Sequence, residues 1–286
     1  MDKIRFGIEF EVCVCDYEAD LDVRDDEYIH HLKEKFETKA AELSTDVTFI
    51  ASPTQLFKHD YTSWLVSLDP TIECSKTQAE IDERHTGFRH LKLDKLCKFH
   101  SAEIISPITN YKPRDIQKFF QVYETILFQD NLVYEMNTSQ GMHINISHPR
   151  QDPLKFLRFW WYFEPVILSF LPKERLDAVT HMARPLRRIF KTMEALENNA
   201  GTYYRDGSSK FSAVSIKKDR FEIRVVDSNL IPQNIFMWLR LLTKLLYVSI
   251  TEELDTDVEP DMASLFLLYI NDKDVETYFR AKARVV

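Results

Sequence analysis

The stretch Gly7-Ile8-Glu9-Phe10-Glu11-Val12 sets two carboxylates one residue apart inside an apolar run. Alternate residues of a strand share a face. Read as a strand over residues 4–15, the segment points Glu9 and Glu11 the same way, roughly 7 Å apart by the strand rise. Like charges placed so repel, and a sheet gains nothing from them alone. A divalent cation between the two, or one on each, removes the conflict.

The same alternation recurs downstream. Glu103 enters the apolar stretch Glu103-Ile104-Ile105-Ser106-Pro107-Ile108. In residues 142–147, His143, Asn145 and Ser147 share one face while Met142, Ile144 and Ile146 share the other. In residues 221–225, Glu222 and Arg224 oppose Phe221, Ile223 and Val225. An antiparallel sheet with one wet face also alternates, and Glu222 with Arg224 also reads as a same-face ion pair, worth little when exposed. Wet faces, however, carry Thr, Lys, Ser and Gln in mixture. Here a carboxylate or an imidazole returns on every strand, which suits hard cations held by oxygen ligands and an imidazole.

Composition narrows the classes. The chain has 286 residues, 44% of them hydrophobic, and a net charge of −8. It is long enough for a sizeable core, and its acidity excludes general nucleic-acid binding, which needs clustered Lys and Arg. Arg184, Arg187 and Arg188 form a local basic group at the start of an expected helix, a place suited to an anion. The five glycines compare with roughly 20 at average usage. Neither G-x-G-x-x-G nor a P-loop can be built from them, so bound phosphates need metal ions and side chains. Gly7 and Gly141 each sit two residues before a polar motif residue and suggest close backbone approach there. Cys13, Cys15, Cys74 and Cys97 contain no C-x-x-C pair, which argues against structural zinc. Cys13 and Cys15, on one face of one strand, are not placed to bridge to each other. No run reaches transmembrane length and no signal peptide precedes the first strand, so a reducing, cytoplasmic setting is expected.

The periodicities predict one continuous domain over 1–286 with a helical C-terminal part from about residue 231. Strands are expected over 4–15, 47–51, 63–69, 101–108, 142–147, 210–217 and 220–227, the last two joined as a hairpin around Lys217-Lys218-Asp219. Helices are expected over 28–44, 113–130, 153–171, 185–198, 232–253, 260–270 and 272–283. Pro113, Pro153 and Pro185 suit first-turn positions. The acidic run 16–27 reads as a solvated loop, and 76–100 is mixed and polar. The class is α+β, with a mainly antiparallel sheet of about six strands and flanking helices.

Four segments in chain order, Gly7-Ile8-Glu9-Phe10-Glu11, Glu103-Ile104-Ile105-Ser106-Pro107, Gly141-Met142-His143-Ile144-Asn145 and Glu222-Ile223-Arg224, resemble the motifs of the amidoligase family. Trp64 with Asp69 resembles that family's W…D segment. The family groups with glutamine synthetase and glutamate–cysteine ligase, carboxylate–amine ligases built on a curved antiparallel sheet. The chain departs from it at Asn145, where a second histidine is frequent, and at Gln140, where a cysteine is frequent.

The resemblance implies ATP phosphates held by two or three Mg2+ or Mn2+ ions, with Glu9, Glu11, Glu103, His143 and Glu222 as metal ligands. It implies Arg224 facing the transferred phosphoryl group and Asp69 as a further ligand or the acid on the amine side. Lys210, Arg220 and Asn145 are expected near phosphate or substrate, His143 being a neutral ligand rather than a base. The implied reaction forms an amide or peptide bond through an acyl phosphate, from small-molecule or peptide carboxylate and amine substrates, without a membrane; homo-oligomerisation stays open. The alternatives are a metal-dependent phosphoesterase or nuclease and an inactive relative kept as a binding module. All five ligand positions are filled, which speaks for activity.

Overall fold

A computed structural model describes residues 1, 3–16, 23–53, 61–74, 98–127, 129, 132–135, 140–205, 211–227 and 229–283. Lys210, most of the 76–100 segment and residues 17–22 of the acidic run lie outside these. The chain divides into two units, Gly7–Met142 with 228–230, and His143–Asp227 with Met1–Phe6 and Ile231–Val286.

In the unit Gly7–Met142, the long strand β1 (Arg5–Asp16) pairs antiparallel with β4 (His100–Ile105) and β6 (Leu132–Glu135). β3 (Trp64–Ser67) continues the sheet beyond β4, and β2 (Phe49–Ser52) joins β3 in parallel. The short β5 (Thr109–Asn110) also pairs with β1. The even-numbered side of β1 is apolar and is covered by α1 (Asp25–Glu42) and α2 (Pro113–Leu127). There Phe10 packs on Tyr123 with ring centroids 5.0 Å apart, and Trp64 stacks on Phe119 at 5.5 Å. Ile8, Phe10, Val12 and Val14 are all buried, so one face of the sheet carries the core and the odd-numbered face is left for polar groups. Asp16, read from sequence as the start of a solvated loop, instead ends β1 with a fully buried side chain that accepts from Lys35 Nζ at 2.5 Å and bonds His31 Nε2 at 2.8 Å.

The second unit holds β7 (Met142–Ser147), which enters it after Met142, with β8 (Val214–Ile216) and β9 (Phe221–Ile223). Their order is β7-β9-β8, all antiparallel. Phe221 stacks on Phe156 of α3 (Pro153–Ser169) at 4.3 Å. The Asp152 side chain caps α3 by accepting from Leu154 N and Lys155 N, as expected ahead of a proline at N1. α4 (Lys173–Met182), α5 (Leu186–Ile189) and α6 (Met193–Arg205) follow. After the hairpin come α7 (Pro232–Thr251), the turn α8 (Met262–Ser264), a π-helix (Leu265–Ile270) and α9 (Lys273–Lys282). Trp238, Phe170, Phe266 and Phe279 form an aromatic core among them.

The fold is mixed α+β with a mostly antiparallel sheet arrangement. It has nine strands among the described residues rather than about six. One expectation fails. The space at Gly7 is ordinary: an added Cβ would meet Ser106 Oγ at 3.7 Å, so no close approach demands that glycine. Cys13 and Cys15 do not bridge to each other: Cys13 is disulfide-bonded to Cys74, 61 residues away, and Cys15 is disulfide-bonded too. Local spacing could not reveal so distant a partner, and among the described residues no cysteine is free. No helix of the described residues is long and apolar enough to cross a membrane.

Candidate functional site

In the unit Gly7–Met142 the expected ligands come from adjacent strands. Antiparallel pairing sets Glu11 directly opposite Glu103 and Glu9 opposite Ile105. Ser67 of β3 meets Glu103 from the other side and donates to its Oε2 over 3.5 Å. Opposed residues share a face, with Cβ atoms about 4.5–5.5 Å apart. Glu9, Glu11 and Glu103 therefore occupy one face, all partly buried. Directly opposed like charges repel, and this face concentrates negative charge.

The register at Glu9 is fastened by the Ser-Pro pair that ends β4. Ser106 N donates to Ile8 O, and Ile8 N donates to Ser106 Oγ, both over 2.8 Å. The Ile8 N–H thus finds its acceptor in the serine hydroxyl oxygen, while Pro107, with no N–H, ends the ladder there. On the other side of β1, Glu11 N donates to Gly141 O at 3.0 Å, and His143 follows two residues later in the chain. Asp69, just beyond β3, is buried. Its Oδ1 accepts from Thr71 N at 2.9 Å and from Thr71 Oγ1 at 2.6 Å, an Asx turn. One acid escaped the sequence reading. Glu135 lies opposite Cys13, on the face of Glu11, with no exposed surface. Its strand has only four residues, Leu132–Glu135, too short for alternation to declare it.

In the second unit, Asn145, Glu222 and Ser215 stand in one row across β7, β9 and β8. His143 and Arg224 have the same parity on their strands, so one face gathers the imidazole, the amide, the carboxylate and the guanidinium. Glu222 is buried and paired with two cations, Arg224 on Oε1 and Lys217 Nζ on Oε2 at 2.9 Å. Burial alone would raise its carboxyl, but His143, Arg224 and Lys217 outweigh that and hold it at about 2. Arg220 Nε donates to Asn145 Oδ1 at 2.9 Å. Lys217 was not singled out from sequence. The available signal was its place at the mouth of the hairpin with the parity of Ser215, since Lys217 N donates to Arg220 O.

The donor set fits divalent ions and polyphosphate. Carboxylate oxygens and one imidazole suit Mg2+ or Mn2+. Arg224 Nε is buried without a hydrogen-bond partner among the described residues, an orphan donor that a phosphoryl oxygen would satisfy.

Among the arginines at 184–188, Arg187 and the start of its helix are already engaged within the protein. Pro165 sits inside α3 and cannot donate to the Trp161 carbonyl. Arg187 repairs this gap, Nε donating to Trp161 O at 2.8 Å and a terminal nitrogen to Tyr162 O at 2.9 Å. The amides of Leu186 and Arg187 are already taken by the buried Glu164 carboxylate, each at 2.7 Å.

Residues 2–246 match the family described as "Putative amidoligase enzyme". The chain belongs to this amidoligase family. The match runs through both units and all four motif strands. No curated protein matches the chain. Among solved structures it is similar to the complex between prokaryotic ubiquitin-like protein Pup and its ligase PafA, at 12% identity and a TM-score of 0.39. That alignment covers 92% of this chain and 50% of that chain, so the amidoligase chain spans about half the length of that protein.

Proposed function

We propose that this amidoligase is an ATP-dependent carboxylate–amine ligase that forms an amide or peptide bond through an acyl phosphate. The observation that carries the reading is the direct opposition of Glu11 and Glu103, in register, on a partly buried sheet face. A fold keeps such a repulsive pair where a cation repays it. Family membership supports the ligase class.

In this reading Glu9, Glu11 and Glu103, with His143 and Glu222, hold two or three Mg2+ or Mn2+ ions. Bound ions supply charge neutralisation between phosphate oxygens and the anionic substrate carboxylate. Arg224 stabilises charge on the moving phosphoryl group, and Arg220 and Lys217 steady the remaining phosphate oxygens. Lys217 leaves Glu222 to do so, its side chain being 38% exposed and able to swing. Asn145 orients Arg220, and Lys210 precedes the same hairpin. A carboxylate oxygen is a poor leaving group; once phosphorylated it departs as phosphate when the amine attacks. The amine must first lose a proton, and Asp69 accepts it. Small-molecule or peptide acids and amines are the substrate class.

ATP turnover with Mg2+ across a panel of acids and amines tests this, with Glu9→Ala as control. ADP release that needs both substrates and disappears in the variant is expected. Metal-dependent cleavage of a phosphodiester without ATP would replace the reading by a phosphoesterase.

A further inference from the structure

The reading above leaves the Cys13–Cys74 disulfide and the turn that precedes it without a role. We propose that this disulfide, with Thr71, is a positioning element for the amine half of the reaction, holding the Asp69 carboxylate over the row next to Glu11 and Glu103. The inference rests on the ligase reading.

The registers make the case. Cys13 shares the face of Glu9 and Glu11 on β1, so the disulfide rises on the ligand side of the sheet. Ser101 lies opposite Cys13, and Ser67 lies opposite Glu103. β3 ends at Ser67; its register, extended by two residues, would set Asp69 in the row of Ser101 and Cys13, one same-face step from the row Ser67–Glu103–Glu11. The segment from Asp69 to Cys74 thus starts at β3 and ends bonded to β1, with β4 between them in the sheet order. It crosses about two strand spacings, roughly 10 Å. Three attachments hold it. Thr71 binds Asp69 Oδ1 twice. Ile72 is buried against Cys13, Cys15 and Phe99. Cys74 is covalently tied to Cys13.

Thr71 occupies Oδ1 and directs proton acceptance to Oδ2. At neutral pH an alkyl ammonium gives one proton to Oδ2. Its lone pair then forms the C–N bond, the C–O bond to phosphorus breaks with its electrons leaving on phosphate, and the second proton departs with that phosphate. Phosphorylation of the acid needs none of this, so loosening the turn impairs the amine step and spares ATP binding.

The test uses the full chain, oxidised or reduced by tris(2-carboxyethyl)phosphine; because the phosphine also opens the bond at Cys15, the oxidised double variant Cys13→Ser, Cys74→Ser must reproduce the effect of reduction. The phosphine takes oxygen from water to become its oxide, and each sulfur gains a proton. Two readouts need no identified substrate: hydrogen exchange over residues 68–74 and affinity for Mg·ATP. Reduction is expected to speed exchange there about tenfold while Mg·ATP affinity stays within about threefold. Thr71→Val, which keeps the disulfide and the fold, is expected to raise the amine KM or lower kcat about tenfold with the ATP KM unchanged, and Thr71→Ser to restore both. The acid–amine pair is the one the panel identifies. Unchanged exchange on reduction, or ATP affinity lost along with amine use, or Thr71→Ser no better than Thr71→Val, each overturns the proposal. An inactive panel sinks the ligase reading instead, while exchange and affinity still judge the staple.

Discussion

The strand pair β1–β4 and the hairpin β8–β9 use one device to opposite electrostatic ends. On β1 and β4, alternation gathers Glu9, Glu11 and Glu103 on a single face, with Glu135 beside them on β6. On the hairpin it gathers Lys217 and Arg224 around one carboxylate, Glu222, with Arg220 bonded to Asn145 of the neighbouring β7. The hairpin sets cations beside its acid, whereas β1 and β4 set acid opposite acid. The difference teaches that one alternation can concentrate either sign of charge on a sheet face: the first set suits cations, the second suits phosphate.

The sharpest way to break that contrast is to remove one charge from each side. Glu11→Gln and Arg224→Ala are both expected to lower ATP turnover about a thousandfold. Their effects on metal-free stability should run in opposite directions. Glu11→Gln relieves an opposed pair and gains up to about 1 kcal/mol, whereas Arg224→Ala strips a buried carboxylate of a partner and loses about 3 kcal/mol. Urea unfolding in chelator reads both, and equal losses would end the contrast.

Acid titration sharpens it next. Glu222 has an ordinary value of 4.5 and is held at about 2 in the fold. A depressed carboxyl contributes stability that is whole above pH 4.5 and disappears as pH falls toward 2. The loss over that window is about 3 kcal/mol for a shift of this size, and Lys217→Ala should shrink it. A Lys217→Ala protein with an unchanged acid limb would show that Lys217 does not hold that charge.

A smaller effect separates structural from functional cations in the hairpin's unit. Arg187→Ala is expected to cost about 2 kcal/mol by orphaning the carbonyl at Trp161, with Mg·ATP affinity unchanged by calorimetry. A fall in affinity would return Arg187 to the phosphate site. The smallest effect belongs to Gly7→Ala, expected within about 0.5 kcal/mol because an added methyl would make only ordinary contacts; a large loss on thermal unfolding would reveal a conformational demand there.

Much of the fold was legible because alternation is written locally. The strand at 142–147 and the helices opened by Pro113 and Pro153 stand where periodicity and proline put them. The helix expected over 185–198 instead breaks into α5 and α6 around Phe190, because Glu164 and Arg187 fix the first turn through tertiary bonds. The strand Leu132–Glu135 and the helix Lys173–Met182 were not foreseen. The first is too short to show a period, and the second carries a weakly segregated apolar face.

The sequence by itself determined which side chains share a face, since that follows from a period of two along each strand. It also determined the family, through four motifs in order. Only the tertiary structure decided which residues stand opposite each other: Glu11 against Glu103, Ser106 against Ile8, Glu135 against Cys13, Cys74 bonded to Cys13. Register and long-range pairing depend on how distant strands align, and alignment is a property of the packed chain rather than of any window within it.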